Sequence, residues 1–508
     1  MSVIIVIVNV YTMQFTQKTE DEMKKITLLL LSLLILLVSC QASPSDGNGE
    51  TDRTIVEATE TAEVLDPQIP ASLKQKDLVE YHVFTQGWYG YTPLDIIDIG
   101  VTDGNSPDMV VQEAFERDAA LEEQLNVAIV NDAQPECYNS FNTLQTQMLA
   151  GATYDLLVLR SAVYTSALQN DMLMDLNDSA LTYFNPEKAY WDNDSYNSLS
   201  LLGHYFGICG DFTVSDDLTL FSLYFNKGMI TDYGLESPYD LVKNGTWTYE
   251  KLYGMAKSVA RNLDTDENMT YDDQWGITYL RDTVSGMINS VGISFGETDE
   301  DGIPYIGFYN ETNVNKILKI FDYLYDTDTC YNIHARGGDE IAVFTEGRAL
   351  FTFGGIYYAP QMRAADTAVE FGILPYPKYD TEQTEYNSSI SPLFLTVLSI
   401  PKNAVHTDLE LKSAVIEQYS YLGHETVLPA FYDRLLKGRI AKDVETAEII
   451  DFIFGNVTYD IANIFNFGDL PFKVIDMSMT SDRNIASIYE TYGKRADYAI
   501  GELIKKFD

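Results

Sequence analysis

The chain has 508 residues, with 33 Lys plus Arg against 76 Asp plus Glu and a formal net charge of −43. So acidic a field excludes nucleic acid or an anionic surface as the main partner, because phosphate recognition relies on cationic residues. The length exceeds one ordinary hydrophobic core, so two lobes or domains are expected, and acidic exposed faces suit a salty or divalent-rich exterior.

Near the amino end, Lys24 and Lys25 precede a run of Leu and Ile that stops at Val38-Ser39-Cys40. The run matches the core of a signal peptide and is short of the roughly 20 residues a membrane span needs. Lysines, an aliphatic run and a cysteine in this order resemble a bacterial lipoprotein signal. That resemblance implies cleavage before Cys40, lipid on Cys40, and a protein held on the outer face of the cytoplasmic membrane. A plain signal peptide or an anchor helix is the alternative. Residues 1–22 place a second apolar run and then acids ahead of the lysines, so Met23 is the expected start and the preceding residues a gene-model extension. Residues 1–39 are thus read as a signal peptide with an extension.

Residues 40–76 are rich in Thr, Ser, Glu and Pro and lack aromatics, which predicts a flexible tether. Folding is expected from Asp77. LVEYHVF (78–84) predicts the first strand, QGWYGYTP a loop, and LDIIDIGV a second short apolar run. Residues 108–130 place apolar positions at helical spacing behind an Asp108 cap and end in a strand-like VAIV. SFNTLQTQMLAG predicts a helix ending at Gly151, YDLLVL a buried strand with Arg160 and Ser161 at its carboxyl end, and TSALQNDMLMDL a further helix. Helices alternating with short apolar strands indicate an α/β lobe around a mostly parallel sheet.

Thr219–Asn226 predicts a longer strand near the first crossing between lobes. Thr248 is placed to cap a helix, DQWGITYL reads as a strand, and TNVNKILKIFDYLYD as a strongly periodic helix. EIAVFTEGRALFTFGG runs from helix end into strand. Residues 369–404 hold two strand runs around a polar loop, with Pro375 and Pro377 at a strand end, and the remainder is mostly helical. No repeat of fixed period is present. The four cysteines are Cys40, Cys137, Cys209 and Cys330; they show no CxxC spacing, and the last three leave open one bridge or three buried thiols.

Several strings in order resemble the extracellular solute-binding proteins of carbohydrate ABC importers, the large class related to maltose-binding protein: DIIDI, VVQEAFERDAALEEQLNVAI, LQTQMLAGATYDLLVL, SLYFNKGMITDYGLESPYDLVKNGTWTYEKL, FTEGRALFTFGGIYYAPQMR and EFGILPYPKYD. The resemblance spans nearly all of residues 77–508. It implies a fold of class α/β, a type II periplasmic-binding-protein-like clamp of two lobes joined by a multi-strand hinge. Lobe one is expected at 77–218 and 352–415, lobe two at 219–351 and 416–508. It further implies a monomer that binds a carbohydrate, expected to be an oligosaccharide, between the lobes and delivers it to ABC permease subunits without cofactor, metal or catalysis.

A sugar offers hydroxyls to planar polar groups and C–H faces to aromatic rings, so four clusters are candidates. Gln86, Trp88, Tyr89 and Tyr91 follow the first strand. Arg160, Ser161 and Tyr164 follow YDLLVL, where the guanidinium can present a fork of hydrogen bonds or instead pair with an acidic helix start. Gly354, Gly355, Ile356, Tyr357 and Tyr358 follow the crossing strand; the glycines permit close backbone approach and the tyrosines can stack. Paired tyrosines also occur in ferric-iron binding proteins, a less favoured reading. Trp275, or Asn463 and Asn466 with Phe465 and Phe467, would come from lobe two.

Catalytic patterns are missing. Five histidines (His82, His204, His334, His406, His424) form no HExxH or zinc spacing, and GxSxG and P-loop strings are absent. Acid pairs such as Asp216-Asp217 and the run 299–301 are expected on solvated surface. Two alternatives stand beside transport: a surface glycan-binding or sensory protein with the same clamp, and a secreted polysaccharide hydrolase or lyase.

Overall fold

The computed structural model describes residues 65–86, 99–134, 140–264, 268–339, 341–365, 369–402, 408–480 and 482–507. Cys40, the tether up to residue 64, Trp88, Tyr89, Tyr91 and Cys137 lie outside the described residues.

The first lobe is built from β1 (Val79–Gln86), α1 (Met109–Leu125), β2 (Val127–Gln134), α2 (Ser140–Leu149), β3 (Leu156–Arg160) and α3 (Ser161–Gln169), followed by the short α4 (Asn193–Ser198). Asp108 caps α1 as expected, its carboxylate accepting from the Val110 and Val111 amides at 2.8 and 3.3 Å. β1 lies parallel between β2 and β3, in register Val79↔Val127 and Val83↔Leu156. Strand alternation sorts the core: Tyr81 and Val83 pack with Leu121, Val415 and Tyr419, while Phe84 joins Leu157 and Leu159 in the other cluster. α3 begins directly at Ser161 and ends at Gln169, earlier at both ends than the helical pattern predicted.

The second lobe starts at β4 (Phe221–Asn226) and continues through α5 (Tyr249–Val259), β5 (Trp275–Tyr279), α6 (Thr283–Ser290), α7 (Glu311–Leu324), β6 (Cys330–Asn332), β7 (Ala349–Gly355), α8 (Tyr358–Ala364) and β8 (Phe371–Leu374). Thr248 caps α5, its hydroxyl accepting from the Lys251 amide at 3.3 Å. The sheet order is β8-β4-β7-β5-β6, with β7, β5 and β6 parallel and β8 and β4 each antiparallel to its neighbour.

The chain then passes β9 (Ser388–Ser389) and returns to the first sheet as β10 (Thr396–Ser399), antiparallel to β3. α9 (Leu409–Glu425) packs on α1. A π-helical stretch, Ala430–Ile440, leads back across: Arg434 pairs with Glu113 of α1 at 2.6 Å, and Ile440 O accepts from Arg363 of α8 at 3.0 Å. α10 (Val444–Phe454) covers β8, β11 (Val457–Thr458) pairs with β9, and α11 (Ile461–Phe465), α12 (Leu470–Asp476) and α13 (Ile485–Ile504) complete the chain.

Sheet membership departs from the expected boundaries. Residues 352–355 and β8, expected in lobe one, pair inside the second sheet, and residues 416–425 continue the helix that packs on α1 of lobe one. Apolar strand runs look alike in either sheet, and only long-range pairing decides which they join. Cys209 and Cys330 are buried, unbridged thiols, one in each lobe. No helix among the described residues is long and apolar enough to cross a membrane.

Candidate functional site

In α/β lobes the crevice outside the carboxyl ends of the parallel strands is where ligands bind. Those ends are Gln86, Gln134 and Arg160 in lobe one, and Tyr279, Asn332 and Gly355 in lobe two. Segments 218–220, 356–357 and 391–395 are tied to one another beside the Arg160 and Gly355 ends. The Ile356 and Tyr357 amides donate to the Leu220 and Leu218 carbonyls at 2.9 and 3.1 Å, and the Ser391 amide donates to Thr219 O at 3.0 Å. Ser161 is tied to the same crossing: its amide donates to Leu395 O at 3.0 Å and its hydroxyl to Pro392 O.

Arg160 and Tyr357 converge on Phe394. The guanidinium lies 5.1 Å from the Phe394 ring centre, and the Tyr357 ring meets Phe394 edge-on at 6.3 Å. Gln86 supports Arg160, its side-chain oxygen accepting the Arg160 amide at 2.8 Å. A side chain at Gly355 would run into the Tyr357 ring, with Cβ 2.5 Å from Cε1, so glycine there lets the tyrosine fold back over the strand end. Phe394 escaped the sequence reading because it sits in SPLFLTV, where an aromatic reads as strand core.

Tyr164 faces the other lobe. Its ring lies 5.8 Å from Phe465 of α11, and Phe465 stacks on Phe467 at 5.4 Å and 9°. Gly207 makes room for Tyr164: a Cβ there would sit 2.8 Å from the ring and 2.3 Å from Val397 Cγ1. Burial pushes the Tyr164 hydroxyl well above the usual phenol range. Asn463 and Asn466 flank the Phe465 ring in sequence, with Asn466 in the left-handed region at φ 45°. The hydroxyl of Tyr164 and the side-chain oxygens of Asn463 and Asn466 are buried, with no hydrogen-bond partner among the described residues. An unmet buried polar atom costs about 1–3 kcal/mol, which a hydrogen bond from water or from another polar group relieves.

Two candidates point elsewhere. Trp275 opens β5 at its amino end, away from the crevice; its indole N–H donates to Thr270 O at 3.0 Å and its ring packs on Tyr331. Tyr358 is fully buried against Gly354 and Tyr224 inside lobe two. At the carboxyl end of β5, by contrast, stand Arg281 and Asp282, which sequence alone did not single out among so many charges. Arg281 donates to Asp476 Oδ1 at 2.5 Å and to Asp282 Oδ1 at 3.1 Å, and burial raises the Asp282 carboxyl against the pull of that arginine. No group of three His, Cys, Asp or Glu among the described residues is arranged to hold a metal ion.

The two α/β lobes, their crossing strands and the crevice at the strand ends make this a type II periplasmic-binding-protein-like clamp. No protein-family model and no curated protein matches the chain in sequence. Solved structures match in fold. The sugar-binding protein MalE from Xanthomonas citri is similar with a TM-score of 0.58 at 12% identity, over 84% of this chain and 99% of that one. An ABC substrate-binding protein from Listeria monocytogenes in complex with cycloalternan gives a TM-score of 0.56 at 13% identity, over 84% and 100%. The galacto-N-biose/lacto-N-biose I-binding protein from Bifidobacterium longum in complex with lacto-N-biose gives 0.56 at 12% identity, over 85% and 98%.

Proposed function

We propose that the chain captures a carbohydrate, an oligosaccharide by preference, between its lobes and delivers it to the permease of an ABC importer. The observation that carries this reading is the pairing of aromatic rings with buried unmet polar atoms. Tyr164, Phe465 and Phe467 are buried rings packed on one another between the lobes, and the Tyr164 hydroxyl and the side-chain oxygens of Asn463 and Asn466 lack partners among the described residues. Sugar hydroxyls satisfy such atoms while C–H faces cover such rings. The similar structures bound to cycloalternan and lacto-N-biose support the same chemistry.

Gln86, Arg160, Ser161, Tyr164, Gly355, Tyr357, Asn463 and Asn466 are the proposed ligand-facing set, with Phe394 added; Trp88, Tyr89 and Tyr91, which follow β1 in sequence, are proposed with them. Capture is reversible and makes or breaks no bond. Ligand that touches both lobes favours their closed arrangement in proportion to its extra affinity for it, and the permease reads that arrangement. Lipid on Cys40 would hold the protein at the outer face of the cytoplasmic membrane. A thermal-shift screen against maltotriose, cycloalternan, lacto-N-biose and plant oligosaccharides tests the reading. A rise in Tm with at least one sugar and no change in that sugar on chromatography is the expected result. Turnover of the sugar would favour the hydrolase or lyase alternative.

A further inference from the structure

Asp216 was expected on solvated surface, yet it is buried inside the hinge with 6% relative exposure. Residues 214–220 are the first crossing between lobes. Asp216 precedes the 3-10 turn Asp217–Thr219, and the Leu220, Leu218 and Thr219 carbonyls accept the Ile356 and Tyr357 amides that follow β7 and the Ser391 amide of the second crossing. Its Oδ1 has no hydrogen-bond partner among the described residues.

The groups facing it carry almost no compensating positive charge. Asp192, which caps α4, Asp211 and Asp217 act on it as like charges, and burial together with these three pushes the Asp216 carboxyl well above its ordinary range. The Cys209 thiol and the Tyr459 hydroxyl sit in the same field, and both are raised by burial. From α9, His424 Nδ1 lies 2.6 Å from Asp211 Oδ2 and is raised by that pairing. From the π-helical stretch, the Tyr432 hydroxyl adds a neutral group near Asp217. The cluster also spans the lobes: Tyr459, which follows β11, donates its hydroxyl to the Asp192 carboxylate of lobe one.

We propose that Asp216, with Asp192 and Tyr459 beside it, makes the hinge a proton-dependent element, in which the crossing seen here is held while Asp216 keeps its proton and loosens when it ionises. An ionised carboxylate with one oxygen unmet and like charges around it cannot stay in this position at low cost, so it must draw in water and loosen the crossing. The sign follows from linkage. The packed hinge binds a proton that the loosened hinge releases, so packing is complete below the ordinary carboxylate range. It weakens as pH rises towards the raised value and levels off beyond it.

Hydrogen exchange on the full chain in mild detergent, from pH 5 to 8 and corrected for intrinsic rates, reads this directly. Protection of the Ile356, Tyr357 and Ser391 amides should fall with rising pH, by up to about tenfold per unit, while the amides of β3 stay flat. Asp216→Asn should stay protected at every pH. Asp192→Asn removes one like charge and should make the fall smaller, with its midpoint at lower pH; it also serves if Asp216→Asn does not fold. A flat wild-type profile, a wild-type slope retained in Asp216→Asn, or an unmoved midpoint in Asp192→Asn would each overturn the proposal.

Discussion

Lys412 and Asp155 form an ion pair with 0% side-chain exposure on both partners and 3.0 Å between Nζ and Oδ1. It joins α9 to the residue just ahead of β3, the strand that carries Arg160 at its end. Burial lowers the lysine pKa and Asp155 pulls it back up. At an effective dielectric of about 20, Coulomb attraction at this distance is roughly 5 kcal/mol, opposed by the desolvation of both ions. Removing one partner strands the other charge and costs about 3–5 kcal/mol, a large part of the stability of one lobe. Lys412→Met should therefore lower the unfolding free energy of the transition that unfolds lobe one by that amount, read from urea titration by far-UV circular dichroism. Asp155 also accepts the His82 amide at 2.8 Å, a bond an asparagine can keep. The double variant Lys412→Met with Asp155→Asn should therefore lose clearly less than Lys412→Met alone, by about 2 kcal/mol in a double-mutant cycle. Additive effects, or a Lys412→Met loss below about 1 kcal/mol, would refute the reasoning.

Burial pushes the Glu417 carboxyl up to about 7 despite hydrogen bonds from Tyr190 and Trp191. The folded state holds a proton that the unfolded chain releases near 4.3, so stability should fall by roughly 3 kcal/mol between pH 4.5 and 7 and then level. Thermal melts across that range check it, and Glu417→Gln should flatten this step. Gly207→Ala should cost about 1–3 kcal/mol by overpacking against Tyr164 and Val397, read as a lowered Tm. Trp275→Phe, at the amino end of β5, should leave the affinity for any sugar found in the screen unchanged within twofold in calorimetry.

Strands and helices were legible where one periodicity ran unbroken: YDLLVL became β3, DQWGITYL contains β5, and the Asp108 and Thr248 caps hold the amides their positions implied. Sheet membership was not, because Ala349–Gly355 and Phe371–Leu374 have the same apolar character as the strands of lobe one and their pairing with β4 is long-range. Gln86, Arg160 and Tyr357 stand at or just past the carboxyl ends of strands, a position that the strand runs in the sequence already marked. Trp275 fell away because a strand's sequence does not say which of its ends meets the crevice. Asp216 misled for a related reason: two adjacent acids look solvated until distant segments, around residues 356 and 391, close on the turn beside one of them.

Grip between the lobes is the heart of this account, and isothermal titration of one sugar selected by the screen into wild-type protein, Arg160→Met and Tyr164→Phe measures it. Wild type should bind with one sugar per chain, and each variant should lose about tenfold or more in affinity while keeping the wild-type melting profile without sugar. Unchanged affinity in both variants, or no binding to any oligosaccharide tried, would contradict it.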